Sequence, residues 1–321
     1  MKFIVRFILV CVAGVLSAQE SLPTYQQYLL GGQYLLNPAH YGATDDVIIH
    51  GTYHKQFAKA EESPNVQTIG LHANVVDRLG VGLAFFRDQN GPISANGITV
   101  GASYFIPLSD DGDRKDQFSF GTAVNFYNMN IDLALLNPQE VGDPLLQDGT
   151  NSVFMAYNNI GAQFSYRNFF GGLSVLDIPL TSDRAIVNGI EPTPTKYLLN
   201  AGYDWQFAEG ISVEPSILLN LNTNSSRMID VNLLAKFFND TNLFTAGVSF
   251  RAARDQVGGQ QLSLSPIIKG TINRFTFGAS YSFGMSEIHQ HLGNGFALSI
   301  GYNFENFINT RGFRYRLGIR C

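Results

Sequence analysis

From Asp46 to about Glu305 the chain is written in steps of two. Phe296, Leu298, Ile300, Tyr302 and Phe304 alternate with Ala297, Ser299, Gly301 and Asn303; Phe275, Phe277, Ala279, Tyr281 and Phe283 alternate with Thr276, Gly278, Ser280 and Ser282. The same rhythm sets Tyr197, Leu199, Ala201, Tyr203 and Trp205 against Asn200, Gly202, Asp204 and Gln206, and it recurs earlier in Ile98, Val100, Ala102, Tyr104 and Ile106. Successive side chains of a strand point to opposite faces, so this period predicts strands with one greasy face and one small or polar face. The greasy faces end repeatedly in Tyr, Phe or Trp. That placement matches the aromatic girdles of a sheet that crosses a bilayer.

Fourteen such stretches can be counted, at 46–57, 66–76, 79–88, 95–108, 116–131, 152–166, 169–177, 196–206, 211–222, 227–238, 241–252, 260–269, 272–282 and 291–305. The count is even and brings both ends of the sheet to one side. Short connections at Asp77-Arg78, Arg167-Asn168, Ala208 to Gly210, Asn239-Asp240 and Gly270-Thr271 are interleaved with longer ones at 58–65, 89–94, 132–151, 178–195, 253–259 and 284–290. Outer-membrane barrels have this asymmetry, with the short turns in the periplasm. A long Ser109 to Lys115 and a short Thr223 to Ser226 break it.

Composition agrees. Charged residues make up only 15% of the 321-residue chain, below the usual quarter, while glycines number 32 and aromatics reach 12%. Hydrocarbon offers no partner to a bare N–H or C=O, so a sheet inside it must close on itself. The predicted fold is therefore all-β, a transmembrane antiparallel barrel of about 14 strands in the outer membrane of a Gram-negative bacterium. A soluble β sandwich would instead have to pack these aromatic faces against one another.

Residues 1–18 read as a secretory signal peptide, with Lys2 and Arg6 before an apolar core from Phe7 to Leu16 and the small Ser17 and Ala18 after it. Residues 19–45 form an N-terminal segment, 46–305 the barrel and 306–321 a basic tail. Fourteen strands enclose more space than their own side chains fill. The N-terminal segment is the natural plug, through Gln33, Tyr34, Asn37, Pro38, Ala39 and Gly42. Asn37-Pro38-Ala39 should turn rather than coil, because the Pro38 ring pushes Asn37 out of the helical region.

Without Lys2 and Arg6 the chain has 19 basic and 26 acidic residues, a net charge of −7 that argues against nucleic acid. The tail departs from this balance. Arg311, Arg314, Arg316 and Arg320 stand there without an acid, as a docking strip for an acidic partner on the periplasmic side. Two proline-stiffened loops carry Asp143 and Asp148, and Asp183, Arg184 and Glu191. Long loops on a rigid scaffold are where recognition sits, so these residues are candidates for holding a secreted partner at the surface. Cys11 leaves with the leader and Cys321 is the last residue, so the remaining chain has no cysteine pair to join.

Signals for chemistry are weak. His50 and His54 share a strand face and His289 and His291 sit at a loop junction, but without a carboxylate or cysteine at ligand spacing they read as rim or lumen residues rather than a metal site. Asp110-Asp111-Gly112-Asp113 lacks the spaced ligands and closing Glu of a calcium loop. There is no nucleophile elbow, phosphate loop or paired-cysteine motif. No enzyme and no cofactor is expected.

Tyr25-x-x-Tyr28, Gln33-Tyr34, Asn37-Pro38-Ala39 and Gly42, followed by Tyr53, Lys55 and Gln56, resemble the N-terminal signature of the PorP/SprF family. Leu292-Gly293-x-Gly295 running into Ala297-Leu298-Ser299-Ile300-Gly301-Tyr302 is similar to that family's closing strand. Phe57 departs from it, standing where the family is associated with Trp. The resemblance implies an outer-membrane component of type IX secretion and gliding motility in Bacteroidota. Its implied partners are a secreted adhesin, through its C-terminal signal domain, and the periplasmic ring of secretion and gliding lipoproteins. The alternative is a barrel of the fatty-acid transporter type for hydrophobic small molecules, which also has fourteen strands and an N-terminal hatch with Asn-Pro-Ala. It would need an apolar pocket and a lateral opening, whereas Asn200, Asp204, Gln206, Ser280 and Asn303 suggest a largely polar interior.

Overall fold

The two-residue rhythm folds into a closed antiparallel ring. The protein is described from a computed structural model over residues 26–59, 63–108, 116–132, 152–181, 195–223, 227–239, 241–254, 259–285 and 291–309. In chain order the strands are β1 (Val47–Lys55), β2 (Asn65–Val76), β3 (Leu79–Asn90), β4 (Ile93–Pro107), β5 (Gln117–Ile131), β6 (Ser152–Tyr166), β7 (Phe169–Pro179) and β8 (Lys196–Tyr203). They continue as β9 (Trp205–Ala208), β10 (Ile211–Asn222), β11 (Arg227–Phe238), β12 (Asn242–Arg254), β13 (Gly259–Ile272), β14 (Phe275–Gly284) and β15 (Gly295–Phe304). Both β8 and β9 pair with β10, so they are halves of one strand interrupted at Asp204, and the barrel has 14 strands. Each strand pairs with its neighbour in sequence, and β15 returns to pair with β1 from Val47↔Phe304 to Lys55↔Phe296. No edge is left to satisfy.

Burial is inverted relative to a water-soluble protein. The side chains hidden inside the ring include Asp230, Arg251, Lys236, Lys269, His50 and Thr52, while Ile69, Leu173, Ile268 and Ile300 stand on the outer face. Water cannot cause that arrangement. A hydrocarbon solvent does, because it rewards apolar side chains outside and leaves polar ones to find partners within.

The outward aromatics form two bands. Tyr104, Phe120, Tyr166, Trp205, Phe275 and Tyr302 lie near the turns 77–78, 167–168, 209–210 and 273–274. Phe126, Phe154, Tyr197, Tyr281 and Phe283 lie near the opposite ends of their strands. Edge-on and tilted contacts tie neighbours within each band, with ring centroids 5.7 Å apart for Tyr104–Phe120 and 4.8 Å for Tyr281–Phe283.

The connections refine the sequence reading at several points. Arg78, Arg167 and Asn273 take φ values of 65°, 55° and 54°, the left-handed conformation that a tight hairpin needs to follow the twist of its strands. The turn expected at Gly270-Thr271 lies instead at Asn273-Arg274, and Gly270 and Thr271 themselves pair within β13. The connection expected at 89–94 shrinks to Gly91-Pro92, because β3 and β4 stay paired to Asn90↔Ile93. The last strand starts at Gly295, so His291 and Leu292 precede it in a short helical turn. Val47 and Phe304 meet at the short-turn end, so the sheet begins and finishes on one side.

A charge placed mid-strand on the outer face tests this assignment. Ile300→Arg should destabilise the barrel by ~2–4 kcal/mol and Val76→Arg, beside a tight turn, by only ~0–1 kcal/mol. Denaturant unfolding in lipid vesicles reads both, and equal costs would contradict a bilayer around β15.

Candidate functional site

Residues 26–42 follow from local rules. They form three 3₁₀ turns, Gln26–Leu30, Gln33–Leu35 and Pro38–His40. Asn37 is extended (φ −148°, ψ 111°), as a residue before proline should be, and its side-chain oxygen accepts a hydrogen bond from the Ala39 N–H at 2.9 Å. Pro38 then opens a turn whose missing N–H costs nothing. Gly42 ends the segment at φ +62°, where a Cβ would sit 2.5 Å from the Ala73 carbonyl oxygen.

One wall of the barrel is built to receive this segment. A row of glycines runs across inward-facing positions of neighbouring strands, with Gly82 paired to Gly101 on β3–β4 and Gly121 to Gly161 on β5–β6. A β-carbon at Gly82 or Gly101 would fall into the Tyr41 ring, one at Gly121 onto the Pro38 carbonyl, and one at Gly161 onto the Asn37 amide. Hydrogen bonds fix the fit. The Asn37 amide donates to the Ala162 carbonyl at 3.0 Å, Ser103 donates to the Tyr41 carbonyl, and the Gly42 N–H donates to His72 Nδ1 at 3.3 Å. Tyr34 lies against Gly70 and tilts onto the Tyr41 and His72 rings. Burial pushes the His40 imidazole down to about 4, so it is neutral at pH 7.

The opposite wall holds the start of the segment with charge. Arg251 grips Asp230 with two hydrogen bonds of 2.6 and 2.7 Å, and the Tyr28 hydroxyl donates to the same carboxylate at 2.9 Å. Asn232 donates to the Tyr28 oxygen at 3.2 Å. Burial and then the Asp230 charge hold the Tyr28 phenol well above its ordinary range, which keeps it a donor. The Gln26 amide donates to Ser249 at 2.8 Å and accepts from Ser265 at 2.9 Å, while Gln27 accepts from Thr52 at 2.6 Å. Around these bonds Tyr28 packs on Leu176, Leu198 and Leu218, and Leu30 on Leu234 and Ile267.

The six residues that the sequence singles out therefore divide. Tyr34, Asn37, Pro38, Ala39 and Gly42 lie against the glycine wall or the turns behind it, and Gln33 lines the remaining space. The second anchor, Gln26, Gln27, Tyr28, Asp230 and Arg251, lies outside that set. Its signal is an acid and a base at inward strand positions, within Ile229-Asp230-Val231 and Phe250-Arg251-Ala252. Toward the short-turn end a cavity of about 280 Å³ remains, lined by Asp204, Glu214, Lys236, Asn200, Leu198 and Leu218 among others. Lys236 bridges Glu214 at 2.5 Å and Asp204 at 3.4 Å. The interior is thus polar with leucine patches where the segment packs.

His50 and His54 do share the inward face of β1, and among the described residues no group of histidines, cysteines or carboxylates has the arrangement of a metal site. Arg311, Arg314, Arg316 and Arg320 fall outside the described residues, as do Asp143, Asp148, Asp183, Arg184 and Glu191, His289, the Asp110 to Asp113 run and the leader.

The two walls make separate predictions. Asp230→Ala leaves Arg251 buried without its bidentate partner and should destabilise the barrel by ~3–5 kcal/mol in denaturant unfolding. Gly82→Val should cost ~1–3 kcal/mol through overpacking against Tyr41, and Tyr41→Ala in the same chain should recover part of it.

Solved structures share the fold at low identity. A Pseudomonas aeruginosa FadL homologue aligns with a TM-score of 0.50 and 13% identity over 91% of this chain and 100% of its own. The Ralstonia pickettii toluene transporter TbuX aligns at 0.50 and 11% over 84% and 92%, and a deltaS2 mutant of the TodX monoaromatic hydrocarbon channel at 0.51 and 12% over 90% and 97%. A search of curated proteins gives no match. Residues 17–302 match the family described as type IX secretion system membrane protein PorP/SprF, and the chain belongs to that family of outer-membrane barrels.

Proposed function

We propose that residues 26–42 plug the barrel and that the protein works as a binding component of type IX secretion rather than as a conduit. On this reading its long-connection face holds a secreted adhesin through the C-terminal signal domain. Its short-turn face and basic tail meet the periplasmic lipoproteins of secretion and gliding. The observation that carries the proposal is the clamping of one segment to both walls, by the glycine row on one side and by Asp230, Arg251 and Asn232 on the other. Passage through the lumen would require breaking both sets of contacts. Partner binding on the outer surfaces requires breaking neither.

Affinity purification from outer membranes checks this. Recovery of a large adhesin together with secretion lipoproteins is the expected result, and recovery of the barrel alone would favour the transporter reading. Replacing Arg311, Arg314, Arg316 and Arg320 by Gln should reduce lipoprotein recovery, with a steeper salt dependence for the unmodified protein. Cross-linking from positions 143, 148, 183, 184 and 191 should capture the adhesin. Capture only from periplasmic positions would overturn the assignment of those loops.

A further inference from the structure

Shear staggers the strands of a barrel, so at the short-turn end some run past the neighbour that precedes them and expose a backbone edge. Among the described residues β2, β4 and β9 run furthest, and two of these edges are blunted. β2 pairs with β1 only as far as His72↔Ile48; beyond it the Asn306 amide donates to the Asn74 carbonyl and the Asn309 amide to the Asn74 side chain, each at 2.7 Å. β4 runs past β3 after Tyr104↔Leu79 and ends in Pro107, which has no N–H to offer. β9 is left open. β8 pairs with β7 down to Tyr203↔Phe169, the Asp204 N–H donates to the Asn168 carbonyl at 2.8 Å, and Trp205 to Ala208 then pair with β10 alone. Backbone groups alternate sides along a strand, so the Gln206 N–H and C=O face the same open side as the Asp204 N–H.

The open edge has two unlike faces. Trp205 and Phe207 are exposed on the outer side, their rings edge-on at 6.0 Å. Asp204 and Glu214 turn inward to Lys236, and Glu209 is exposed at the turn, three acids to one base. Arg167, in the adjoining turn, lies over the Tyr166 ring at 5.4 Å. A strand added here needs apolar side chains toward lipid and basic ones between them. The last residues of the chain have that pattern: Phe313, Tyr315, Leu317 and Ile319 alternate with Arg314, Arg316, Gly318 and Arg320. A chain's own tail falls short of its own β9. It leaves the barrel at Asn309, held at β2, and fourteen tilted strands ~4.8 Å apart make a ring roughly 28 Å across with β9 nearly opposite. The four steps from Asn309 to Phe313 span only about 14 Å.

We propose that the open edge of β9 receives the C-terminal tail, residues 313–320, of a second copy in the same outer membrane as an added strand. The apolar side of the tail lies beside Trp205 and Phe207, and its arginines turn toward Asp204, Glu209 and Glu214. Edge and tail are in one compartment, since Phe304 ends β15 on the short-turn side. The contact is head to tail, so it joins barrels into rings or rows rather than into closed pairs. It goes beyond the partner-binding role proposed above and is decided with no partner protein present.

Photocross-linking tests it on the full-length protein in phosphatidylethanolamine–phosphatidylglycerol vesicles, using equal amounts of ordinary and heavy-isotope chains that carry p-benzoylphenylalanine in place of Phe207. After illumination, mass spectrometry should find position 207 joined to peptides from residues 310–321, with mixed ordinary–heavy pairs as frequent as unmixed ones. Gln206→Pro removes the N–H from the open edge while leaving those that bond to β10, and should lower the cross-link about tenfold, the loss that ~1.4 kcal/mol of weakened binding produces. A second variant, with Arg314, Arg316 and Arg320 replaced by Glu, should do the same with β9 intact. Unchanged heat-modifiable migration in gels shows that each barrel has folded. Cross-links confined to unmixed pairs would overturn the proposal, because the tail would then be the chain's own. So would cross-links to a neighbour's strands instead of its tail, no cross-link to residues 310–321 at all, or a tail cross-link that both folded variants leave at full strength.

Discussion

The structure depends on the cost of an unpaired backbone group in hydrocarbon. Nothing in a bilayer core can accept an N–H or donate to a C=O, so every strand needs two neighbours and the last must find the first. The pairing of β15 with β1 meets that demand. Closure then dictates where side chains go. Apolar ones face lipid at no cost, and the small and polar ones are left to settle an interior too wide for them to fill.

That interior explains the N-terminal segment and the glycines together. A glycine inside a strand gives up packing and entropy, so a row of them across adjacent strands is poor sheet design unless something lies against it. Here Tyr41, Pro38 and Asn37 occupy the space that β-carbons would have taken. On the far wall Asp230 and Arg251 are buried ions, costly alone, that become sustainable as a bidentate pair shared with Tyr28. Shape complementarity on one side and charge on the other hold the segment. Mid-strand prolines relax the same backbone rule: at Pro215 on β10 and at Pro266 on β13 the ladder to one neighbour skips two residue pairs.

Much of the fold is legible in the alternation of side chains alone. Two-residue steps in β14 and β15 give the outward Phe275, Phe277, Leu298 and Ile300 and the inward Thr276, Ser280 and Ser299. Element ends are harder. Asn90↔Ile93 stays paired because Gly91-Pro92 makes a tight turn where a longer loop is expected, and the β13–β14 turn falls at Asn273 because Asn tolerates the left-handed conformation. Within the site, Asn37-Pro38 announces a turn, but nothing near it in the chain announces that Gly121 and Gly161 lie beneath it. Likewise Asp230 is 202 residues from the tyrosine it holds.

The sequence by itself determined the period, hence the strands, hence a lipid-facing and an inward-facing side for each. It also determined that residues 37–42 would turn. These are short-range matters, decided by φ, ψ and the alternation of neighbouring side chains. Only the tertiary structure decided which glycines met Tyr41 and which acid met Arg251. Those pairings join residues distant in the chain, and they are set by barrel register and by the space left after closure, which no local rule encodes.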